Sequence, residues 1–325
     1  RAEKTFTAEE VLNSFVTQFY DDKPVPLEAT MPPEIASPLA PFVGKSPPYP
    51  EWFQKAIERA PHRALVPVDG ANIELLTWGE RGKPGLIFVH GNSDRGIGGS
   101  LGGWDESLKA FYAAGYRSAD LYALTWGPAD SNQASSQYHS RAHLTLVRRF
   151  LEAVLAYTKA QNVDLVSHSM GVTLARKAIV GGAANDLLAG GDYDLGPSLA
   201  AHVDTFVGIA GANVGLSSCY FTGPSTPTCG STNGFYPGSL VGGNVVGMST
   251  FLEGLAKTSH AEGAHTFSVW SGSDEILGPG ALVWGRNTAE LPGQDASFEQ
   301  KGLSHMDCKS KTTALQVSLV TKHSP

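Results

Sequence analysis

The chain has 325 residues, of which 42% are hydrophobic and 17% charged, and its formal net charge at pH 7 is -7. This length and composition fit one large α/β domain as well as two small ones, and they exclude an intrinsically disordered chain. No run of Lys and Arg indicates nucleic-acid binding, and no apolar stretch of about 18 residues indicates a membrane span.

The first 63 residues are expected to form an arm that packs on the rest of the chain. Residues 7–10 have the S/T-x-x-E pattern of a helix start, and the apolar residues after them predict a helix over residues 8–20. Nine of the 20 prolines fall between Pro24 and Pro50, which excludes a regular helix or a central strand there. We therefore divide the chain into an N-terminal helix with a proline-rich arm, 1–63, and a main domain, 64–325.

From residue 64 onward, short apolar runs alternate with helical patterns. Residues 64–75 are typical of a hairpin, and five later runs are typical of buried strands: GLIFVHG, YRSADLYALTW, VDLVSHS, HVDTFVGIAG and HTFSVWSGSDE. Apolar residues at helical spacing predict helices after Trp104, over residues 140–160 and over residues 171–180. This alternation predicts an α/β fold with a mostly parallel central sheet and helices on both faces.

A long segment rich in Gly, Ser and Thr separates the last two predicted strands. It covers about residues 211–262. A connection of this length is unusual for a scaffold loop and is typical of a lid or a binding surface. We therefore expect a lid-like insertion there.

One predicted strand-to-helix junction carries a candidate nucleophile. It has the sequence SHSMG, with Ser169 at its centre, where the usual pattern is G-x-S-x-G. Such a tight turn presents the serine hydroxyl at the carboxyl end of the sheet, and the backbone N–H of the next residue, Met170, can bind an oxyanion. Ser167 replaces the first glycine but is also small. The alternative is an ordinary serine in a buried turn.

An activated serine needs a base and an orienting carboxylate, which in this architecture follow in the order Ser, Asp or Glu, His. Asp274 ends the last predicted strand, and His305 lies in a loop before the final helical segment. Glu275 would point in a different direction, and Asp307 is too close in sequence to orient His305. We therefore expect Asp274 and His305 to act with Ser169.

The loop after the GLIFVHG strand is expected to supply the second oxyanion donor, from the backbone N–H of Asn92. His90 in the same loop is expected to hold the loop in place. The glycine-rich stretch GIGGSLGG follows, but Leu101 stands where the G-x-G-x-x-G pattern needs its last glycine. We therefore predict a loop near the oxyanion donor and not a nucleotide-binding turn.

Aromatic residues in the loops are candidates for substrate contact, with ordinary core packing as the alternative. They are Trp104, Tyr220, Phe221, Phe235 and Trp284. His139 and His143 are spaced i, i+4, a spacing that would suit two metal ligands on one face of a helix. The Glu of the H-E-x-x-H pattern is missing between them, so we predict no metal there.

Three cysteines bear on the compartment of the protein. Cys219 and Cys229 are ten residues apart in the stretch CYFTGPSTPTC, whereas Cys308 lies far along the chain. In an oxidising compartment, the first two are expected to form a local disulfide. The alternative is three reduced cysteines in a cytosolic protein.

Several stretches resemble a known group of proteins. IFVHGNSD, QYHS, AYTKAQNVDLVSHSMGV, GIAGANVGLSSCYFTGPSTPTCGS and GLSHMDCKS are similar to the lipase-like extracellular poly(3-hydroxybutyrate) depolymerases, whose serine lies in an A-H-S-M-G box. They are also similar to the lipase class 2 group of the α/β-hydrolase superfamily. The resemblance covers roughly residues 84–320.

The resemblance implies an α/β-hydrolase fold and secretion, with no metal and no other cofactor in catalysis. It also implies particular roles: a triad of Ser169, Asp274 and His305, backbone donors at Asn92 and Met170, and a Cys219–Cys229 bond. We therefore predict a secreted, monomeric serine hydrolase of carboxylic esters, with a lipid, a small ester or a polyester as substrate. Two alternatives remain, a serine peptidase or amidase with the same triad and a non-catalytic polymer-binding protein.

Overall fold

A computed structural model describes residues 64–68, 71–75, 84–117, 120–158, 160–258 and 262–325. The expected N-terminal helix and proline-rich arm lie outside these residues. Among the described helices, none is both long enough and apolar enough to cross a membrane.

The first half of the described chain alternates strands and helices. Its elements are β1 (Ala64–Val68), β2 (Ala71–Leu75), β3 (Gly85–Val89), α1 (Asp105–Ala113), β4 (Leu121–Leu124), α2 (Arg141–Thr158), β5 (Val163–His168), α3 (Met170–Val180), β6 (Ala183–Asp186) and β7 (Gly191–Asp194). Strands β1 and β2 pair antiparallel, which confirms the predicted hairpin, and β6 and β7 form a second hairpin.

The second half contains shorter elements between its two longer strands. They are β8 (Val203–Ile209), α4 (Ser217–Thr222), β9 (Pro237–Val241), β10 (Asn244–Met248), α5 (Thr250–Ala256), β11 (His265–Trp270), β12 (Leu282–Val283), β13 (Arg286–Asn287), β14 (Ala296–Glu299), α6 (His305–Ser310) and α7 (Thr313–Lys322). The segment over residues 211–262 thus holds two short helices and the β9–β10 hairpin.

A six-stranded parallel sheet forms the centre of the molecule, in the order β14-β11-β8-β5-β3-β4. All residues of β3, β4 and β5 are buried. The helices divide into two groups, because α1 contacts α6 and α7, whereas α2 and α5 contact α3. Because helices cover both faces of the sheet, both faces of each central strand are buried, which explains why these strands are apolar runs. The predicted α/β fold is confirmed.

The loops that follow β3, β5, β8 and β11 all leave the sheet at its carboxyl edge, because the strands are parallel. In open parallel sheets, this edge is where ligands bind. The fold therefore brings four separate stretches of sequence to one region.

Candidate active site

Ser169 lies at the corner between β5 and α3 with φ 54° and ψ -129°. A side-chain-bearing residue rarely adopts a positive φ, and it does so where surrounding bonds enforce the conformation. Two bonds do so here, since the Ser169 N–H donates to the Ile209 carbonyl at 2.9 Å and its carbonyl accepts from the Val172 N–H at 3.0 Å. The hydroxyl is thereby held at the carboxyl edge of the sheet.

Two glycines allow the corner to pack against the loop after β3. A Cβ on Gly171 would lie 2.3 Å from the His90 carbonyl oxygen, and a Cβ on Gly91 would lie 2.7 Å from the Ser169 Cβ. Neither distance is possible for real atoms without a backbone shift. Ser167, in contrast, is fully buried within β5, and the first position of the box therefore tolerates a side chain.

Asp274 and His305 form a hydrogen-bonded pair. The Nδ1 of His305 is 2.7 Å from Oδ2 of Asp274, and both side chains are almost fully buried. The other oxygen of Asp274 accepts the backbone N–H groups of Ile276 and Leu277, each at 2.9 Å. The carboxylate is therefore fixed on both sides, and the imidazole is oriented with Nε2 available for another partner.

The structure corrects one detail of the sequence interpretation. His305 was expected in a loop, but it is the first residue of α6, whose start is capped by Ser304 through a 3.2 Å bond from the Asp307 N–H. The Asp307 carboxylate forms an ion pair with the Lys311 ammonium, with Oδ2 and Nζ 3.1 Å apart. The imidazole of His305 pairs with Asp274 instead.

Two residues that the sequence interpretation did not assign hold His305 in position. The Glu275 carboxylate accepts the backbone N–H of His305 at 3.0 Å. Asp274 and Glu275 therefore both bind His305, Asp274 at the imidazole and Glu275 at the backbone. His168 precedes Ser169, and its Nε2 lies 3.1 Å from the His305 carbonyl oxygen. The rings of His168 and His305 are 4.6 Å apart, which places α6 against the corner that carries Ser169.

The expected oxyanion donors are next in sequence to residues of this corner: Met170 follows Ser169, and Asn92 follows Gly91, which packs against Ser169. Met170 is the first residue of α3, where no preceding turn supplies a helical acceptor for its N–H. Asn92 lies in the loop after β3, and its side-chain amide donates to the Ala134 carbonyl at 2.9 Å. This bond orients the loop and leaves the backbone N–H as the group expected to meet an oxyanion.

His90 connects the same loop to Trp126, which lies shortly after β4. Its Nδ1 is 2.6 Å from the Gly91 carbonyl oxygen, and its Nε2 accepts the Trp126 N–H at 3.0 Å. The imidazole also stacks on Trp126 with the ring centroids 5.1 Å apart. Burial lowers the pKa of His90 to about 4, so the ring is neutral at pH 7 and serves as a structural connection.

A buried ion pair connects the loop after β3 to helix α6. The Asp94 carboxylate contacts the Lys309 ammonium through Oδ2 and accepts the Gly103 N–H at 3.1 Å through Oδ1. Lys309 also donates to the Leu101 carbonyl at 3.2 Å. The glycine-rich loop is therefore organised around Asp94, and the same pair ties that loop to the helix that begins at His305.

The five candidate substrate residues divide into two groups. Trp104 and Phe235 are buried: Trp104 packs on Phe88 with centroids 5.1 Å apart, and Phe235 packs on His139 at 4.8 Å. The other three aromatic residues form a surface cluster, in which Tyr220 lies 5.6 Å from Phe221 and 4.7 Å from Trp284.

Exposed aliphatic side chains lie in connections that follow the same edge of the sheet. The Trp284 indole donates to the Pro237 carbonyl at 3.1 Å, which connects the β12–β13 hairpin to the β9–β10 hairpin. We define the apolar rim as six large exposed side chains from these loops: Tyr220, Phe221, Leu240, Val241, Ile276 and Leu282. Phe221 is 84% exposed. The sequence did not single out the four aliphatic members, because isolated apolar residues in loops carry no periodic pattern.

A disulfide joins Cys219 to Cys229, as expected, with a Cα–Cα distance of 5.0 Å. It connects helix α4, which carries Tyr220 and Phe221, to the following turn. Cys308 is a buried free thiol in α6. Burial, followed by the charge of Asp274, raises the pKa of Cys308 to about 12, so this thiol is un-ionised and inert.

The parallel sheet, with a positive-φ serine after β5 and a histidine–carboxylate pair at the same edge, has the organisation of the α/β-hydrolases. The sequence model of the lipase (class 2) family matches residues 83–318, which is most of the chain. The chain belongs to this family.

Two solved structures are similar to this chain. Aspergillus fumigatus lipase B superposes with a TM-score of 0.52 at 16% identity, covering 87% of this chain and 63% of that chain. The present chain therefore spans less than two thirds of that lipase. The mature form of Bacillus licheniformis lipase BlEst2 superposes with a TM-score of 0.48 at 13% identity, covering 75% of this chain and 94% of that chain. At such identities, the first likeness shows the fold alone.

Among curated proteins, the UvrABC system protein C of Bradyrhizobium diazoefficiens shares a local match. It is 66% identical over 35 residues, which is 11% of this chain and 5% of that protein. A match this short does not show a family.

Proposed function

We propose that the protein is a secreted serine hydrolase of carboxylic esters, in which Ser169 is the nucleophile, His305 the general base and Asp274 the orienting carboxylate. The observation that carries this proposal is the 2.7 Å bond between His305 Nδ1 and Asp274 Oδ2, on a helix placed against the strained Ser169 corner. Membership of a lipase family supports an ester as the substrate.

The proposed reaction proceeds through an acyl-enzyme. His305 Nε2 takes the proton from the Ser169 hydroxyl while its oxygen attacks the ester carbonyl. Asp274 holds the imidazole tautomer and stabilises the imidazolium that forms. The backbone N–H groups of Asn92 and Met170 bind the tetrahedral oxyanion. The C–O bond then breaks, and the alcohol leaves with the proton from His305. Water, deprotonated by His305, cleaves the acyl-enzyme and releases the carboxylic acid.

A water-insoluble ester is the substrate class that the apolar rim supports. Large exposed apolar patches on proteins are typical of binding surfaces, because uncompensated apolar area in water is unfavourable. Phe221, Val241 and Leu282 are at least half exposed and lie in the loops around the carboxyl edge of the sheet. Lipids and polyesters, including poly(3-hydroxybutyrate), present the apolar surface that such a rim would contact.

Secretion is part of the same proposal. The Cys219–Cys229 disulfide supports it, since disulfides persist in oxidising compartments and are rare in the cytosol.

The central experiment compares Ser169→Ala with Ser167→Ala, two serines in the same box. With p-nitrophenyl butyrate, we expect Ser169→Ala to lose about 10⁴-fold or more in kcat, whereas Ser167→Ala retains activity. A fluorophosphonate probe should label the native chain and not Ser169→Ala. Near-native activity of a folded Ser169→Ala variant would exclude the proposal, and failure of the probe to label the native chain would favour a polymer-binding protein.

The substrate class is tested with a panel and a rim variant. Matched ester and amide substrates separate an esterase from an amidase. Short p-nitrophenyl esters, long triglycerides and poly(3-hydroxybutyrate) then identify the preferred ester. We expect Phe221→Ser to lower the ratio of insoluble to soluble substrate turnover several-fold. Leu187→Ser, at a leucine that is 70% exposed and lies outside the rim, should leave that ratio unchanged.

A further inference from the structure

We propose that Asp204, His265 and His323 bind a divalent transition-metal ion such as Zn²⁺ at the amino edge of the central sheet. Asp204 is the second residue of β8 and His265 is the first residue of β11. The candidate active site lies beyond the carboxyl ends of the same strands. The proposed ion is therefore at the opposite end of the molecule and takes no part in ester hydrolysis.

The three side chains already converge. His323 Nε2 is 3.2 Å from Asp204 Oδ2, and the rings of His265 and His323 stack with centroids 3.8 Å apart. One ligand atom from each residue can be chosen so that all three lie within 4.8 Å of one another. Ligands around a tetrahedral zinc ion are about 3.4 Å apart, given metal–ligand distances of about 2.0–2.1 Å. To close the site, the ligand atoms must approach one another by about 1 Å and the two rings must tilt out of their stack, because a bound ion lies in the plane of each imidazole.

The backbone holds His323 in this position. His323 follows the last residue of α7 in a left-handed conformation with φ 57°, and its N–H donates to the Leu319 carbonyl at 3.1 Å. Helix α7 packs against β8. The cap and the helix packing thus place the imidazole beside the sheet independently of its contact with Asp204.

The donor set selects the class of ion. Two imidazoles and one carboxylate suit Zn²⁺, Cu²⁺ or Ni²⁺, whereas Ca²⁺ and Mg²⁺ prefer sets of oxygen ligands. All three residues are half-buried, so an ion can enter and water can complete its coordination. A bound ion would join two strands of the sheet to the end of α7 and would stabilise the folded chain by binding it selectively.

The test uses the full chain after treatment with EDTA and dialysis. Isothermal titration with ZnCl₂ should give about one ion per chain, and a saturating concentration should raise the thermal midpoint by about 5 °C. His323→Ala and His265→Gln should each weaken binding at least about 10-fold. His202→Ala, at an exposed histidine whose Nδ1 lies 3.0 Å from the Gln161 carbonyl oxygen, should bind zinc as the native chain does.

Circular dichroism establishes that each variant is folded, and His305→Ala separates this site from the proposed active site. Loss of the titration signal in His305→Ala would locate the ion at the active site and overturn the proposal. Absence of zinc binding by the native chain would also overturn it, as would an unchanged, native affinity for zinc in either site variant. Stabilisation by CaCl₂ in place of ZnCl₂ would exclude the proposed class of ion.

Discussion

Ser167 shows how much freedom the nucleophile box has at its first position. Its hydroxyl is fully buried within β5 and has no hydrogen-bond partner among the described residues. Gly171, at the last position of the box, has no such freedom, since a Cβ there would meet backbone oxygen. The requirement for a glycine at the last position therefore comes from the close approach of Gly171 to the backbone at the end of β3.

Ser167→Ala should leave the protein as stable as the native chain or stabilise it by up to about 1 kcal/mol. The substitution removes a buried hydroxyl without leaving another polar group unpaired. Urea denaturation measures the free energy of unfolding. A loss of more than about 1 kcal/mol would show that the hydroxyl has a partner that the present geometry does not reveal.

Asp274→Asn should lower kcat on p-nitrophenyl esters about 10⁴-fold with little change in the fold. An amide cannot stabilise the imidazolium, and its NH₂ group favours the wrong tautomer of His305. Asp307→Asn is the matched control, because this carboxylate is also near His305 in sequence but is paired with Lys311. Steady-state kinetics of both variants would separate the roles, and equal losses would contradict the assignment of Asp274.

Among the loops and helices, the connection between the β3 loop and α6 has the largest consequence for the site. Asp94 and Lys309 are both buried, and they join the loop expected to bind the oxyanion to the helix that begins at His305. Burial lowers the pKa of Lys309, an effect that the Asp94 charge opposes. A buried charge without its partner is far less favourable than either the intact pair or a neutral replacement.

Lys309→Met should lower the free energy of unfolding by about 3–5 kcal/mol and reduce kcat as well, because the unpaired Asp94 carboxylate would remain buried. Adding Asp94→Asn should recover much of the stability, since the amide oxygen can still accept the Gly103 N–H. Denaturant titrations of the single and double variants test this. Equal stability of the two would show that the carboxylate is solvated in Lys309→Met.

The long elements could be predicted from the sequence because their patterns repeat. Residues 140–160 and 171–180 were expected to be helices, and the structure has Arg141–Thr158 and Met170–Val180. The β9–β10 hairpin was missed. Its strands have five residues each, and their buried and exposed residues do not alternate regularly, so the sequence shows no strand pattern. The local signal is the Gly242–Gly243 turn, where both residues have positive φ.

At the scale of the whole molecule, the sequence predicted those site residues that lie in stretches resembling a known family or that follow the expected chain order. The order of Ser169, Asp274 and His305 is such a signal. Asp204, His265 and His323 share no spacing pattern, and only the parallel pairing of β8 with β11 and the packing of α7 bring them together. The Asp94–Lys309 pair was missed for the same reason.

Buried histidines should make the whole molecule unstable in acid. Desolvation lowers the pKa of His90 to about 4 and of His139 to about 3, and it lowers the pKa of His168 well below its usual value. Between about pH 6 and pH 4, the unfolded chain therefore binds protons at these positions and the folded chain does not. Asp164 opposes this effect, because burial raises its pKa to about 7 and the folded chain holds that proton.

On balance, these shifts place more protons on the unfolded chain than on the folded chain, so the free energy of unfolding should fall between pH 6 and pH 4, by roughly 1.4 kcal/mol per pH unit for each net proton. Urea denaturation across this range measures the slope. In His139→Gln the slope should fall by about 1.4 kcal/mol per pH unit. A flat profile would show that the buried rings are protonated in the folded chain.

The positions of the three cysteines also bear on how the chain reaches its native covalent state. Cys219 and Cys229 close a loop of about ten residues, whose ends meet far more often in an unfolded chain than either meets Cys308. Both also precede Cys308 during synthesis. Once α6 forms, Cys308 is enclosed in the core and is protected from oxidants. Chain order alone therefore favours the native pairing, and folding in an oxidising compartment should proceed without disulfide exchange.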